Sequence, residues 1–374
     1  MAAARALLLY GQAMALMMGS QYIERHQRVV LLVPVWASLG LAFKDIAHIP
    51  SFLGLNVQLG MLIIITLLYC PILLASSAKT LDISQPRWDL PVAYRRFNNP
   101  RGLPTVSLDQ PVAPLRRRLQ FVASGVVKVI LILASRAVFD HMLAPHLATF
   151  TIHDFSPAKE WMVRRLLSGE ISASDVFIRT YVALSWIIET YSQLTLCHIA
   201  LAFVFVVILQ IDEPEEWPPL FRSPLEAFTL RRFWGVFWHR LITPSAAAWA
   251  RSIASRLPLL RSHPILAKLF TAFFVFTTSG LAHVLVGWRL GDKALERDLF
   301  FFWANFFAIG IEIALSKLGK GFNRDPSVQL LSRMLGYAWV VGFFVLTVPH
   351  VLFPKMYYAI RAQMFVRMFE STEK

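Results

Sequence analysis

Two histidines stand where residue type and spacing can do chemistry. His239 is the last residue but one of the stretch "FTLRRFWGVFWHR", residues 228 to 240, where arginines and large aromatics crowd together in an otherwise apolar sequence. His283 lies inside "FTTSGLAHVLVGW", residues 276 to 288, a run with no other ionisable side chain. Read as a helix, that run puts Ser279 one turn before His283 and Gly287 one turn after it, on one face. The small residues leave room beside the imidazole for a substrate or a neighbouring helix. Burial penalises imidazolium, so the neutral ring is expected, the form that accepts a proton. Such a ring can act as general base toward an attacking hydroxyl. The alternative is a histidine that hydrogen-bonds across a helix bundle.

Other polar groups sit in the apolar runs. Glu189 and His198 fall in "SWIIETYSQLTLCHIALAF" with Tyr191 and Gln193, and Asn305 and Glu312 share a helix face in "WANFFAIGIEIAL". These four are read as hydrogen bonds between helices. A transporter would use the same groups as a substrate path, but the paired broken helices and repeat symmetry of that class are missing. Cys70 and Cys197 are the only cysteines, both in apolar runs, so neither a disulfide framework nor a thiolate metal site is suggested, and no metal is expected. There is no P-loop, dinucleotide fingerprint, HExxH or GxSxG, which leaves bound-cofactor and triad chemistry without support.

The elements that must position these residues are membrane spans. Hydrophobic residues make up 56% of the 374 and charged residues 16%, with a mean hydropathy of +0.53. A soluble domain carries about a quarter charged residues. Apolar runs near 6–22, 28–43, 52–75, 119–139, 176–209, 266–289, 298–316 and 333–353 are long enough to span a bilayer. The expected fold is all-α: a polytopic transmembrane helix bundle of about eight spans. Arg5 and a short apolar core resemble a cleaved signal, but no small-residue cleavage site follows, and a retained first helix is expected. The 176–209 run is too long for one perpendicular crossing, so it tilts or begins at the interface.

The formal charge of +14 collects in loops 76–118, 210–264 and 317–332, which places these loops in the cytosol and the mixed-charge loops 140–175 and 290–297 in the lumen. The charge thus reads as membrane topology, and nucleic acid is not expected as a partner. The tail with Lys355, Arg361 and Arg367 counts as lumenal, or lies flat in the interface.

"EWPPLFRSPLEAFTLRRFWGVFWHR", residues 216 to 240, resembles the signature of the wax-synthase-like branch of the membrane-bound O-acyltransferases. Pro218, Pro219, Leu220, Phe221, Leu230, Arg231, Phe233, Trp234, Gly235, Trp238 and His239 fit it. Thr229 stands for the usual serine, Val236 and Phe237 for a basic pair, and Arg240 where glutamine is common. The second family histidine, in an apolar helix some forty residues on, is matched by His283. "RRFNNPRGLPT", residues 95 to 105, is similar to the family's Asn-x-Arg-Gly segment. The resemblance spans residues 85–350 in organisation, and the whole of 1–374 is expected to be one integral-membrane domain.

The resemblance implies an acyl-CoA-dependent O-acyltransferase. In character it is nearest to the fungal acetyltransferases of terpenoid and meroterpenoid pathways, so acetyl-CoA is the expected co-substrate and a lipophilic alcohol the acceptor. Transfer is direct, with His283 as base and His239 at the thioester carbonyl or the acceptor. Arg231, Arg232 and Arg101 are expected to face CoA phosphates or lipid headgroups. Trp234 and Trp238 are expected to anchor the segment at the bilayer interface, with Ser279 beside the base. Endoplasmic reticulum or another endomembrane is the expected location. A long-chain wax ester synthase is the alternative enzyme, and a transporter using its membrane histidines as a proton relay is the alternative class. Oligomeric state is not readable from the sequence.

Overall fold

The computed structural model describes residues 1–75, 90–103, 113–147, 149–318 and 326–372. Lys79, Asp82, Arg87, Asp89, Asp109, Lys320 and Arg324, counted above in the loop charges, lie outside the described residues. Among those described there is no strand, and the longer helices are α1 (Ala2–Gly19), α2 (Leu32–Lys44), α3 (Leu55–Leu74), α4 (Leu90–Phe97), α5 (Leu115–Leu147), α6 (Ala173–Ala202), α7 (Thr243–Ala254), α8 (Pro264–Leu290), α9 (Glu296–Leu318) and α10 (Pro326–Thr372). Among the described residues, eight stretches are long and apolar enough to cross a membrane: Ala2–Tyr22, Arg25–Lys44, Phe52–Leu74, Leu115–Leu143, Ala173–Ile208, Pro264–Leu290, Glu296–Lys317 and Ser327–Met364. Each contains the core of one expected span, and all but Phe52–Leu74 run beyond it at one end or both, because helix continues through polar residues that an apolar window excludes. The tail, for which a lumenal or an interfacial place is expected, continues α10, whose 47 residues reach about 70 Å at 1.5 Å each.

Two compact units divide the chain: Met1–Pro114 with Val204–Pro218 and Arg240–Gly291, and Leu115–Phe203 with Pro219–His239 and Asp292–Lys374. In the first unit, α1 packs along α2, burying Ala6, Ala13 and Met17. Arg5 Nε reaches Asp45 Oδ2 at 2.6 Å, and that pairing holds the Asp45 carboxyl below its ordinary range. Helix α3 buries one part of its surface in the unit's core: Ile63, Ile64, Ile65 and Leu74 share a core with Met17 and Leu39, and with Ala282 and Val286 of α8. Helix α7 packs on α8, and its Trp249 indole donates to the Leu68 carbonyl at 2.9 Å. Pro264 opens α8 at the first-turn position where its missing N–H costs nothing.

In the second unit, α6 starts from a reciprocal cap between Ser172 and Asp175 and packs along α10. Arg136 of α5 pairs with Glu189 of α6 at 2.9 Å, the helix-to-helix role expected for that carboxylate. Glu160, Arg297 and His350 meet at the other end of this unit, with Arg297 Nη2 3.1 Å from Glu160 Oε2; burial raises the Glu160 carboxyl. Lys355, expected in the tail, is held by Asp298 at 2.8 Å and Asp292 at 3.1 Å.

Candidate active site

The first unit holds His283 and Ser279 on α8 and Arg101 just after α4. Leu281, Leu285 and Trp288 form the exposed stripe of α8, while Gly280, Ala282, Val286 and Gly287 are buried. At about 100° per residue, His283 falls between Val286 and Gly287, on the packed side, with Ser279 one turn before it. Yet His283 is exposed and Ser279 half-buried. The sequence predicts a buried ring with room beside it for a substrate or a neighbouring helix; the ring is instead exposed, and Gly287 and Ser279 supply no bulk to cover it.

Arg101 sits in a turn that its own sequence closes. The Asn99 side chain accepts from Leu103 N and donates to Leu103 O, both at 2.7 Å. Gly102 takes φ +63° there, a conformation that a Cβ disfavours. Arg101 Nη1 donates to the Pro218 carbonyl at 3.2 Å, so two segments that carry the resemblance meet although 117 residues separate them. Burial pushes this guanidinium down. Beside it lies a network that sequence reading missed. Asp212, 4% exposed, accepts from Tyr94 Oη at 3.0 Å and Trp217 Nε1 at 2.9 Å, and Asn98 donates to Tyr94 Oη at 2.6 Å. Tyr94 also stacks on Phe205, and Phe205 on Trp217. This network docks α4 onto the chain that leads into the signature segment.

The second unit holds that segment. Arg222 N–H donates to the Phe237 carbonyl at 3.0 Å, tying its start to its end. Thr229, present where serine is usual, caps the short helix Leu230–Arg232 by accepting from Arg232 N at 3.1 Å, so the departure keeps the cap. A wide π-turn follows over Phe233–Phe237 and closes with Trp238 N–H on the Phe233 carbonyl at 2.7 Å. The turn throws the aromatic rings inward. Trp238 is 4% exposed; its ring stacks on Trp186 at 5.4 Å and on Phe233 at 5.0 Å. Trp234 donates its indole N–H to Asn305 Oδ1 at 2.7 Å. The two tryptophans expected as interfacial anchors are therefore packing elements, since a π-turn points both toward α6 and α9. His239 follows directly, half-buried, with Phe221 edge-on at 5.6 Å and Trp238 at 5.5 Å.

The arginines divide. Arg232 forms an ion pair with Glu226, donates from Nε to the Glu226 carbonyl at 2.9 Å and lies over the Phe228 ring at 4.6 Å. Its charge is met within the segment, six residues away, rather than left for phosphate. Arg231 is exposed and makes no ion pair among the described residues. Asn305 and Glu312, expected to bond helix to helix, bond chiefly to the segment. Glu312 accepts from Leu230 N at 2.6 Å and Arg231 N at 3.0 Å; its third bond, from Trp339 Nε1 at 2.8 Å, is the helix contact. Their seven-residue spacing on one face was the only signal available.

Residues 217–304 match the membrane bound O-acyl transferase family. Among curated proteins, the chain is 30% identical over 208 residues to the acetyltransferase nanB of Aspergillus nanangensis, covering 54% of this chain and 47% of that one. It is 33% identical over 177 residues to the acetyltransferase ataH of Aspergillus terreus, with 46% and 55% covered. To the acetyltransferase TRI7 of Fusarium sporotrichioides it is 28% identical over 179 residues, with 46% and 40% covered. The chain thus spans about half the length of the curated relatives it matches. No solved structure matches it.

Proposed function

We propose that the chain is a polytopic member of the membrane bound O-acyl transferase family, to which its residues 217–304 are matched, and that it transfers an acyl group from an acyl-CoA thioester to a hydroxyl of a lipophilic alcohol. Acetyl is the acyl group of choice, following relatives that are each called an acetyltransferase. A terpenoid or meroterpenoid alcohol is the acceptor class, since an apolar alcohol partitions into the membrane that eight spans occupy. The enzyme works as a single acyltransferase domain of an endomembrane such as the endoplasmic reticulum, with the basic loops in the cytosol where acyl-CoA is found.

His283 takes the proton of the acceptor hydroxyl as its oxygen attacks the thioester carbonyl carbon. The C–S bond then breaks, and the thiolate of CoA takes up the proton from the imidazolium. His239 donates to, and so polarises, the carbonyl oxygen on which negative charge develops. Ser279 lies beside the acceptor, while Trp234 and Trp238 hold His239 in place. Arg231 and Arg101 meet the CoA phosphates, a pairing suited to guanidinium; Arg232 stabilises the segment through Glu226. No enzyme side chain is acylated.

One observation carries this reading: His283 is accessible on the otherwise packed side of α8, inside the residues that match the family. The test uses membranes containing the protein, labelled acetyl-CoA or palmitoyl-CoA, and a panel of sterol, terpenoid and fatty alcohols. Label should pass from acetyl-CoA into an ester, with one free thiol released per ester formed. A preference for palmitoyl-CoA with fatty alcohol would make the chain a wax synthase instead. Thiol release without ester, or neither from any donor, would refute acyl transfer to an alcohol.

A further inference from the structure

Glu312 is a carboxylate in a membrane span, a placement that is costly unless the charge is met. It is met mainly by main chain. Oε1 accepts from Leu230 N–H at 2.6 Å and Oε2 from Arg231 N–H at 3.0 Å, with the Trp339 indole as third donor. A carboxylate that grips two consecutive backbone amides fixes the path of the chain whatever the side chains there do. Hydrogen bonds to an ionised acceptor are also the strong ones. Two turns earlier on α9, Asn305 is fully buried; its oxygen takes the Trp234 indole and its amide donates to the Phe301 carbonyl at 2.8 Å.

Helix α10 closes the other side. A Cβ at Gly336 would collide with the Phe228 carbonyl oxygen, so only glycine admits that backbone. Tyr337 Oη donates to the Leu225 carbonyl at 2.5 Å, and Arg333 lies over Phe228 at 5.4 Å. The segment needs such holding. Its own structure is one short helical turn followed by a π-turn, a form with poor intrinsic stability. All of Asn305, Glu312, Gly336 and Trp339 lie beyond the family-matched residues 217–304.

We propose that Glu312 is the positioning residue of the signature segment, with Asn305 as its second point of attachment on α9. Glu312 fixes the main chain at Arg231. Asn305 fixes Trp234, and the Phe233–Trp238–Trp186 stack carries that register on to His239. The role assigned to these two residues rests on the acyl-transfer reading above. Neither touches the reacting atoms.

The test compares Glu312→Gln and Asn305→Ala with Glu189→Gln, a carboxylate of the same unit whose partner is Arg136. Glutamine keeps the size of Glu312 but sets an amide N–H₂ against one backbone donor. At equal folded protein, Glu312→Gln should raise KM for acetyl-CoA about five- to tenfold and lower kcat about tenfold, as a misplacement on the ångström scale does. Asn305→Ala should do less of both, and Glu189→Gln neither. A residue needed only for folding would lower the yield of active enzyme and leave KM alone, and an unchanged KM in Glu312→Gln would overturn the proposal. Amide hydrogen exchange at Leu230 and Arg231 in the purified protein gives a readout without turnover. Faster exchange in Glu312→Gln supports the attachment, and wild-type rates would sink it. Should the wild type transfer no acyl group, the functional reading fails while exchange still decides whether Glu312 holds the segment.

Discussion

His283 and His239 are held in opposite ways. Around His283, α8 offers small residues, Ser279 and Gly287, and the ring is exposed on a face where Val286 and Gly287 are buried. Around His239, the second unit offers bulk: Phe221, Phe233, Trp186 and Trp238 form a ring cluster, and α9 and α10 pin the chain from two sides. A regular helix holds its register through its own backbone bonds. An irregular turn has no such register and must borrow it from neighbours. Openness can therefore be placed on α8, while rigidity has to be built around the segment.

If that contrast is right, truncation should hurt stability in one region and not in the other. Trp238→Ala should lower stability by about 3–5 kcal/mol, the range for deleting a large buried aromatic. Ser279→Ala should shift it by less than about 0.5 kcal/mol. Thermal unfolding of the solubilised protein measures both, and equal melting points would erase the contrast. Next comes Gly336→Ala, where a methyl group driven into the Phe228 carbonyl should cost about 1–3 kcal/mol by overpacking. Wild-type stability there would show that α10 does not press on the segment.

Smaller effects separate the arginines. Arg231→Gln should raise KM for acyl-CoA a few-fold, about 1 kcal/mol or less, and high salt should blunt the difference. Arg232→Gln should instead trim stability, since Glu226 and Phe228 already hold its charge; the reverse pattern would exchange their roles. The smallest effect is one of pH in the first unit. Burial pushes the Asp212 carboxyl above its ordinary range, although Trp217 and Tyr94 donate to the anion. The folded state then holds a proton that the unfolded chain releases in the window above the ordinary value. The stability this group contributes is complete below that value and fades as pH rises through the raised one. Melting points between pH 4 and 8 should show a downward slope that Asp212→Asn flattens; an identical slope would locate the titration elsewhere.

The spans were legible because each is one long apolar run, and the bilayer leaves helices as the only local solution for such runs. The signature residues and His283 were legible by motif. Burial and pairing were not, because they depend on what a turn faces. Nothing local says that a π-turn will send Trp234 and Trp238 inward. Nor does the sequence tell that Glu226 rather than phosphate meets Arg232. Asp212 and Tyr94 were missed for a plainer reason: they lie 118 positions apart, and neither belongs to a pattern. Glu312 was seen on the correct helix face, but its partners are backbone amides, which carry no sequence signal.

The most direct measurement sets wild type beside His283→Ala in the same membranes, at matched abundance of folded protein, with labelled acetyl-CoA and an accepted lipophilic alcohol. General-base help is worth roughly 10²–10⁴ in rate. Ester formation should fall by that factor in the variant, while acetyl-CoA binding and melting temperature stay near wild type. Equal ester formation by the two proteins would contradict the account, for the open histidine of α8 would then have no part in the chemistry.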